Sequence, residues 1–269
     1  MAKERQNFVY GNPEEGVPGC IANGIDEKTA NKIYDEMTDF AKYAFNKSHA
    51  AAYAVVSYQT AWLKYYYQVE YMAALMTSVI DNPGKVAEYI YSCRQMGIKI
   101  LPPDINHGYS SFSVDNGSIR YGLAAIKSIG RPVIKEIVAE RKANGEFKNL
   151  KDFIERMSGK DINKRTIENF IKSGAFDELG GTRKQFMVIY VQILDQVNRE
   201  KKNSMTGQMS LFDIVGEEQK SELDIPLPNV GEYEKSTKLA FEKEVLGIYL
   251  SGHPMEEYEE QWRKGISKT

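Results

Sequence analysis

Residues 45–64 read FNKSHAAAYAVVSYQTAWLK. A polar cluster, Asn46, Lys47, Ser48 and His49, runs into a helix-forming stretch rich in Ala and Tyr. Apolar or aromatic residues fall on nearly every face, so the pattern predicts a mostly buried helix. Ser48 suits the N-cap, and the first-turn amides behind it would form an electropositive pocket flanked by Lys47 and His49, a place for a phosphate. The same residues also read as a capped core helix whose Lys and His face water.

Working outward, residues 7–24 are rich in Gly and Pro and read as a loop. Asp26 then caps a helix with Ala30, Ile33, Tyr34, Met37 and Phe40 on one face. Downstream, residues 70–80 form a second apolar helix ending at the turn Asp81-Asn82-Pro83-Gly84. A further helix over 85–96 stops at Gly97. The paired prolines of Leu101-Pro102-Pro103-Asp104 close this helical block. The next block opens with Phe112, Val114, Ile119 and Tyr121 alternating around Asn116-Gly117, the pattern of two strands joined by a type I′ turn. Helical periodicity returns over 124–197, residues 201–222 read as an exposed loop, and 239–249 form a last helix broken by Ser251-Gly252-His253-Pro254. The fold class is therefore mainly α with one small β-hairpin.

The 269 residues allow two domains, or one with an appended arm. A net charge of −2 gives no overall polyanion-binding signature, but the distribution is uneven. Residues 120–151 hold eight Lys/Arg against three Glu, net +5, and residues 213–234 hold seven acids against Lys220, net −6. That asymmetry suits one segment meeting nucleic acid and the next avoiding it, or else two solvated faces. Cys20 and Cys93, with His49, His107 and His253, stand in no metal or redox spacing. A reduced, cytoplasmic protein without a membrane span is expected.

Three motifs bear on function. Ile126-Lys127-Ser128-Ile129-Gly130-Arg131-Pro132-Val133 resembles a helix-hairpin-helix, in which a tight Gly-rich turn lets backbone amides grip a DNA phosphate. Gly130 would supply the close approach, Pro132 the helix start, and Lys127, Arg131 and Lys135 the charge. Ser128 stands where that family usually has Gly. A second hairpin over Lys172, Ser173, Gly174 and Ala175 would make the motif tandem, although it also reads as a Gly-terminated helix. Gln208-Met209-Ser210-Leu211-Phe212 resembles the short peptide by which bacterial proteins dock on the sliding clamp. Leu211 and Phe212 would fill an apolar pocket while the Gln208 amide fixes register.

Taken in order, the segment 45–64, LPPDIN at 101–106, the hairpins, QMSLF at 208–212 and FEKEVLGIYLSGHP at 241–254 resemble the C-family of bacterial replicative DNA polymerases, the polymerase III alpha subunits. The resemblance implies the C-terminal part of the fingers over 1–100, a tandem helix-hairpin-helix domain over 101–200, a clamp-binding loop over 201–222, and a helical linker over 223–269 toward an oligonucleotide-binding domain. It places Asn46, Lys47, Ser48, His49 and Tyr53 near the incoming nucleotide's phosphates. There Lys47 and His49 would stabilise triphosphate charge, or His49 donate a proton. The implied partners are duplex primer-template DNA, a deoxynucleoside triphosphate, the sliding clamp and other replisome subunits. The family's Mg²⁺-binding palm aspartates lie upstream of the matching region, so the resemblance implies no catalytic or metal residues and no cofactor here, Mg²⁺ in the intact enzyme, and a fragment inactive alone. The alternative is a stand-alone, non-enzymatic DNA-binding adaptor for the clamp.

Overall fold

The structure, a computed structural model, describes residues 2–42, 47–205 and 225–258. The chain divides into two compact units, Met1–Leu63 and Lys64–Thr269. The first holds α1 (Ala2–Tyr10), the short α2 (Gly19–Ala22) and α3 (Glu27–Lys42). Residues 7–24 thus hold the end of α1, a 3-10 turn at Pro13–Glu15 and α2 as well as loop, and Val9 on α1 and Ala30 on α3 are buried. Asp26 caps α3 as expected, accepting from the Thr29 amide at 3.0 Å. Arg5 ties α1 to α3 through Asn31 and Asp35.

α4 (Lys47–Tyr66) corrects the reading of residues 45–64: none of its residues is buried. Its Tyr53, Tyr58, Trp62 and Tyr65 all lie exposed. An all-round apolar pattern asks for cover, but nothing in the pattern says that the cover lies nearby in the chain. Ser48 is also not the N-cap, since α4 already includes Lys47.

The second unit has one continuous core running from Met72 to Ile248. α5 (Gln68–Ser78) and α6 (Pro83–Gln95) pack with a three-stranded sheet of order β1-β3-β2, built from β1 (Ile100–Leu101), β2 (Ser113–Asp115) and β3 (Ser118–Arg120). β1 runs parallel to β3, so the proline-marked boundary at residue 101 is no break in packing. β2 and β3 form the anticipated hairpin with Val114 opposite Ile119. Asn116 and Gly117 have φ of 48° and 75°, the left-handed pair that a type I′ turn needs.

The remaining helices are α7 (Arg131–Asn144), α8 (Leu150–Arg156), α9 (Lys164–Ser173), α10 (Arg183–Met205) and α11 (Lys235–Leu246). α10 extends to Met205, past the loop start expected at residue 201. Asn149 and Asn163 cap α8 and α9 through their side chains. Thr182 and Gln185 cap α10 reciprocally, each side chain accepting from the other's amide. Phe153 joins these helices at the centre, 4.9 Å from the Phe176 ring and 5.0 Å from Phe147.

Candidate nucleic-acid interface

The hairpin begins where the short 3-10 turn Leu123–Ala125 delivers Ile126 into the core. Lys127 and Ser128 are exposed, Ile129 is buried, and Gly130 and Arg131 are exposed again. Gly130 is the N-cap of α7 and has an ordinary φ of −74°. The residue in the left-handed region is Ser128, at φ 63°. The sharp turn thus falls at Ser128, the position where the family usually has Gly. Gly130 leaves space, since a Cβ there would meet only Pro132 Cδ, at 3.6 Å. The amides of Ser128, Gly130 and Arg131 have no hydrogen-bond partner among the described residues. Two of them belong to the start of a fourteen-residue helix, where the positive end of the dipole favours an anion.

The hairpin is braced from behind. The Lys127 amide donates to the Val245 carbonyl at 2.9 Å, and Lys127 Nζ donates to the Glu244 carbonyl at 2.7 Å. Asn169 of α9, itself nearly buried, donates through Nδ2 to the Lys127 carbonyl at 2.7 Å. Tyr121 Oη reaches the Leu246 carbonyl at 3.4 Å, and burial pushes its phenol pKa upward. Lys127 is therefore a brace as much as a cation. Sequence reasoning missed Asn169 and Glu244; a polar residue on the buried face of α9 was the one local signal.

The +5 segment does not present all its charge. Arg120 is held by Asp115 at 2.6 Å. Arg141 is buried, donates to the Ile105 carbonyl at 2.7 Å and lies over the Tyr109 ring. Beside the hairpin, Arg131 is well exposed and only loosely paired with Asp81, itself more exposed still, at 3.3 Å. Lys135, one turn along α7, has no ion-pair partner among the described residues.

The second expected hairpin differs from the first in how its amides are engaged. Residues 172–175 are the C-terminal stop of α9, with Gly174 in the left-handed region at φ 84°. The amides of Gly174 and Ala175 are taken by Ile171 and Phe170 carbonyls, and Ser173 and Ala175 are buried. These two amides close the last turn of α9 rather than opening to solvent. Lys172 is held by Glu168 and Glu244, each at 2.8 Å; burial lowers its pKa, but the two carboxylates outweigh that and leave it raised.

On α4, Lys47, Ser48 and His49 are exposed, and the His49 and Tyr53 rings lie 4.3 Å apart, one turn along the helix. Asn46 and the whole of Gln208, Met209, Ser210, Leu211 and Phe212 lie outside the described residues. Among the described residues no group of three or more His, Cys, Asp or Glu could hold a metal ion, and no helix is long and apolar enough to cross a membrane.

The helix-hairpin-helix motif family matches residues 97–186. DNA polymerase III subunit alpha of Vibrio cholerae is 41% identical over 268 residues, covering 99% of this chain and 22% of the relative. The subunit alpha of Escherichia coli K12 is 41% identical over 96% of this chain and 22% of its own length, and that of Thermus aquaticus 40% over 96% and 20%. The chain thus spans about a fifth of the length of these relatives. With the hairpin geometry beside these matches, the chain is a mainly helical relative of DNA polymerase III subunit alpha, aligned to about a fifth of that protein, with a helix-hairpin-helix motif of its own over residues 97–186.

Proposed function

We propose that this chain serves within a replicative DNA polymerase to hold duplex DNA without reading its sequence. The observation that carries this reading is the set of open amides at Ser128, Gly130 and Arg131, beside the exposed cations Arg131 and Lys135. Backbone amides approach a phosphate closely, and the flanking cations add charge without base contacts. The braces from Asn169 and α11 keep the turn in place before DNA arrives.

Two further contacts belong to the same reading. Lys47 and His49, at the start of α4 with Tyr53 one turn on, would approach the triphosphate of the incoming nucleotide. Residues 208–212 would tether the polymerase to the sliding clamp through Leu211 and Phe212. Mg²⁺ and its carboxylates belong to the rest of the polymerase in this reading, and no step is assigned to the metal here.

Fluorescence anisotropy with a random-sequence duplex tests the claim. The double variant Arg131→Glu/Lys135→Glu should weaken binding and reduce the slope of log K against log salt by roughly 0.9 per lost phosphate contact. Unchanged slope and affinity would return the patch to a solvated surface. For the clamp, Leu211→Ala/Phe212→Ala should abolish calorimetric binding to a bacterial clamp; undiminished binding would remove that assignment.

A further inference from the structure

A second cationic feature lies away from the hairpin turn. α6 and the end of α11 bound an open cleft of about 180 Å³, lined in part by Tyr91, Arg94, Lys243, Tyr249 and His253. Three of these side chains are basic and none of the lining residues is acidic. Arg94 has no carboxylate partner among the described residues, and Tyr91 is 65% exposed. Lys243 Nζ donates to the Gly247 carbonyl at 3.0 Å and lies 5.3 Å from the Tyr249 ring centre, against which His253 packs edge-on at 5.7 Å. Glu256, three residues beyond His253, is already held by Lys235 at 2.5 Å and by the His253 amide. A cation in the last turn of a helix ordinarily complements the carbonyl end. That explains Arg94 on α6 and Lys243 on α11 separately, but not their convergence with His253 and two tyrosines in one acid-free cleft.

We propose that this cleft binds single-stranded nucleic acid, Tyr91 offering its exposed face to an unpaired base while Arg94 and Lys243 hold the adjoining phosphates. Aromatic faces interleaved with cations are what a single strand uses, because its bases are free to stack on protein; the bases of a duplex are already stacked on one another. Position favours a nucleic-acid strand over an acidic peptide. The carbonyl of Val245, two residues beyond Lys243, takes the Lys127 amide, so cleft and hairpin turn share one helix end.

The test is anisotropy of the chain with a fluorescein-labelled thymidine strand of about twelve nucleotides, run beside a duplex of equal length. Arg94→Glu/Lys243→Glu should weaken single-strand binding about tenfold, and Tyr91→Ala about fivefold, with duplex affinity held within about twofold. Because Lys243 also bonds to Gly247, Arg94→Glu alone, at an exposed site, must reproduce the direction with an unchanged circular-dichroism spectrum. Arg131→Glu/Lys135→Glu should show the reverse pattern, so failure of the duplex reading is separable from failure here. Single-strand binding unaffected by both Arg94→Glu and Tyr91→Ala would overturn the proposal. So would an acidic peptide whose binding these variants abolish while the thymidine strand still binds.

Discussion

Lys127 Nζ lies 2.7 Å from the main-chain oxygen of Glu244, 117 positions further along the chain. A cation read from sequence as a phosphate ligand is engaged by the C-terminal turn of α11, where a positive charge also complements the helix dipole. Lys127→Met should therefore weaken duplex binding by loosening the hairpin, while leaving the salt slope unchanged. A slope reduced by about 0.9 would show instead that Lys127 neutralises a phosphate directly.

Ser128 occupies left-handed backbone without being glycine, which costs an L-residue roughly 1–2 kcal/mol. Glycine's greater freedom in the unfolded chain offsets about 0.5–1 kcal/mol of that. Ser128→Gly should stabilise the protein by up to about 1 kcal/mol in urea denaturation, and Ser128→Val should destabilise it. A stabilised valine variant would contradict the turn geometry.

Arg183 and Glu242 form a nearly buried pair at 3.2 Å, with Asp177 on the other side of the guanidinium at 2.8 Å. Glu242 also accepts the amides of Leu250 and Ser251, both at 2.9 Å, so it fastens the segment after α11. Burial lowers the Arg183 pKa, but the two carboxylates outweigh it and leave it raised. Glu242→Ala leaves the buried guanidinium with Asp177 as its one carboxylate and deprives two amides of their acceptor, and about 1–3 kcal/mol of unfolding free energy should be lost. A loss below about 1 kcal/mol in guanidinium titrations would argue against this clasp.

Glu140 takes hydrogen bonds from Lys160, Asn144 and Arg156, and these hold its carboxyl down at about 2. A depressed carboxylate stabilises the fold above its unfolded pKa, near the ordinary 4.5, and that contribution disappears as pH falls through about 2. The destabilisation caused by Glu140→Gln should be constant from neutral pH down to the ordinary carboxylate range, then shrink toward pH 2. A penalty that disappears well before the ordinary range is reached would contradict the cluster.

Cys93 is fully buried, and burial pushes its thiol up to about 11, whereas Cys20 is partly exposed. Iodoacetamide at neutral pH should label Cys20 in the native protein and reach Cys93 only in denaturant. Peptide mapping showing equal native labelling would contradict the packing around α6.

Some of this was legible in the sequence, for identifiable reasons. Asn116-Gly117 between alternating apolar residues specifies its turn locally, and the hairpin formed there. Thr182 and Gln185 carry a capping box equally open to local reading. The engagement of Lys127 and Lys172 by α11 was not legible, because those partners lie 117 and 72 positions away. Nor was the exposure of α4, since periodicity identifies an apolar face without naming its cover. At residues 172–175 a Gly after a helix served both readings, and the engagement of its amides by the Ile171 and Phe170 carbonyls could not be read from the sequence.

In the proposed function the open amides of the hairpin grip a phosphate. The most direct measurement follows the backbone amide resonances of ¹⁵N-labelled protein as duplex DNA is added. Large, saturable downfield shifts are expected at Ser128, Gly130 and Arg131, with Gly174 and Ala175 unmoved because their amides are already bonded. Duplex binding that leaves the three hairpin amides unshifted would contradict it.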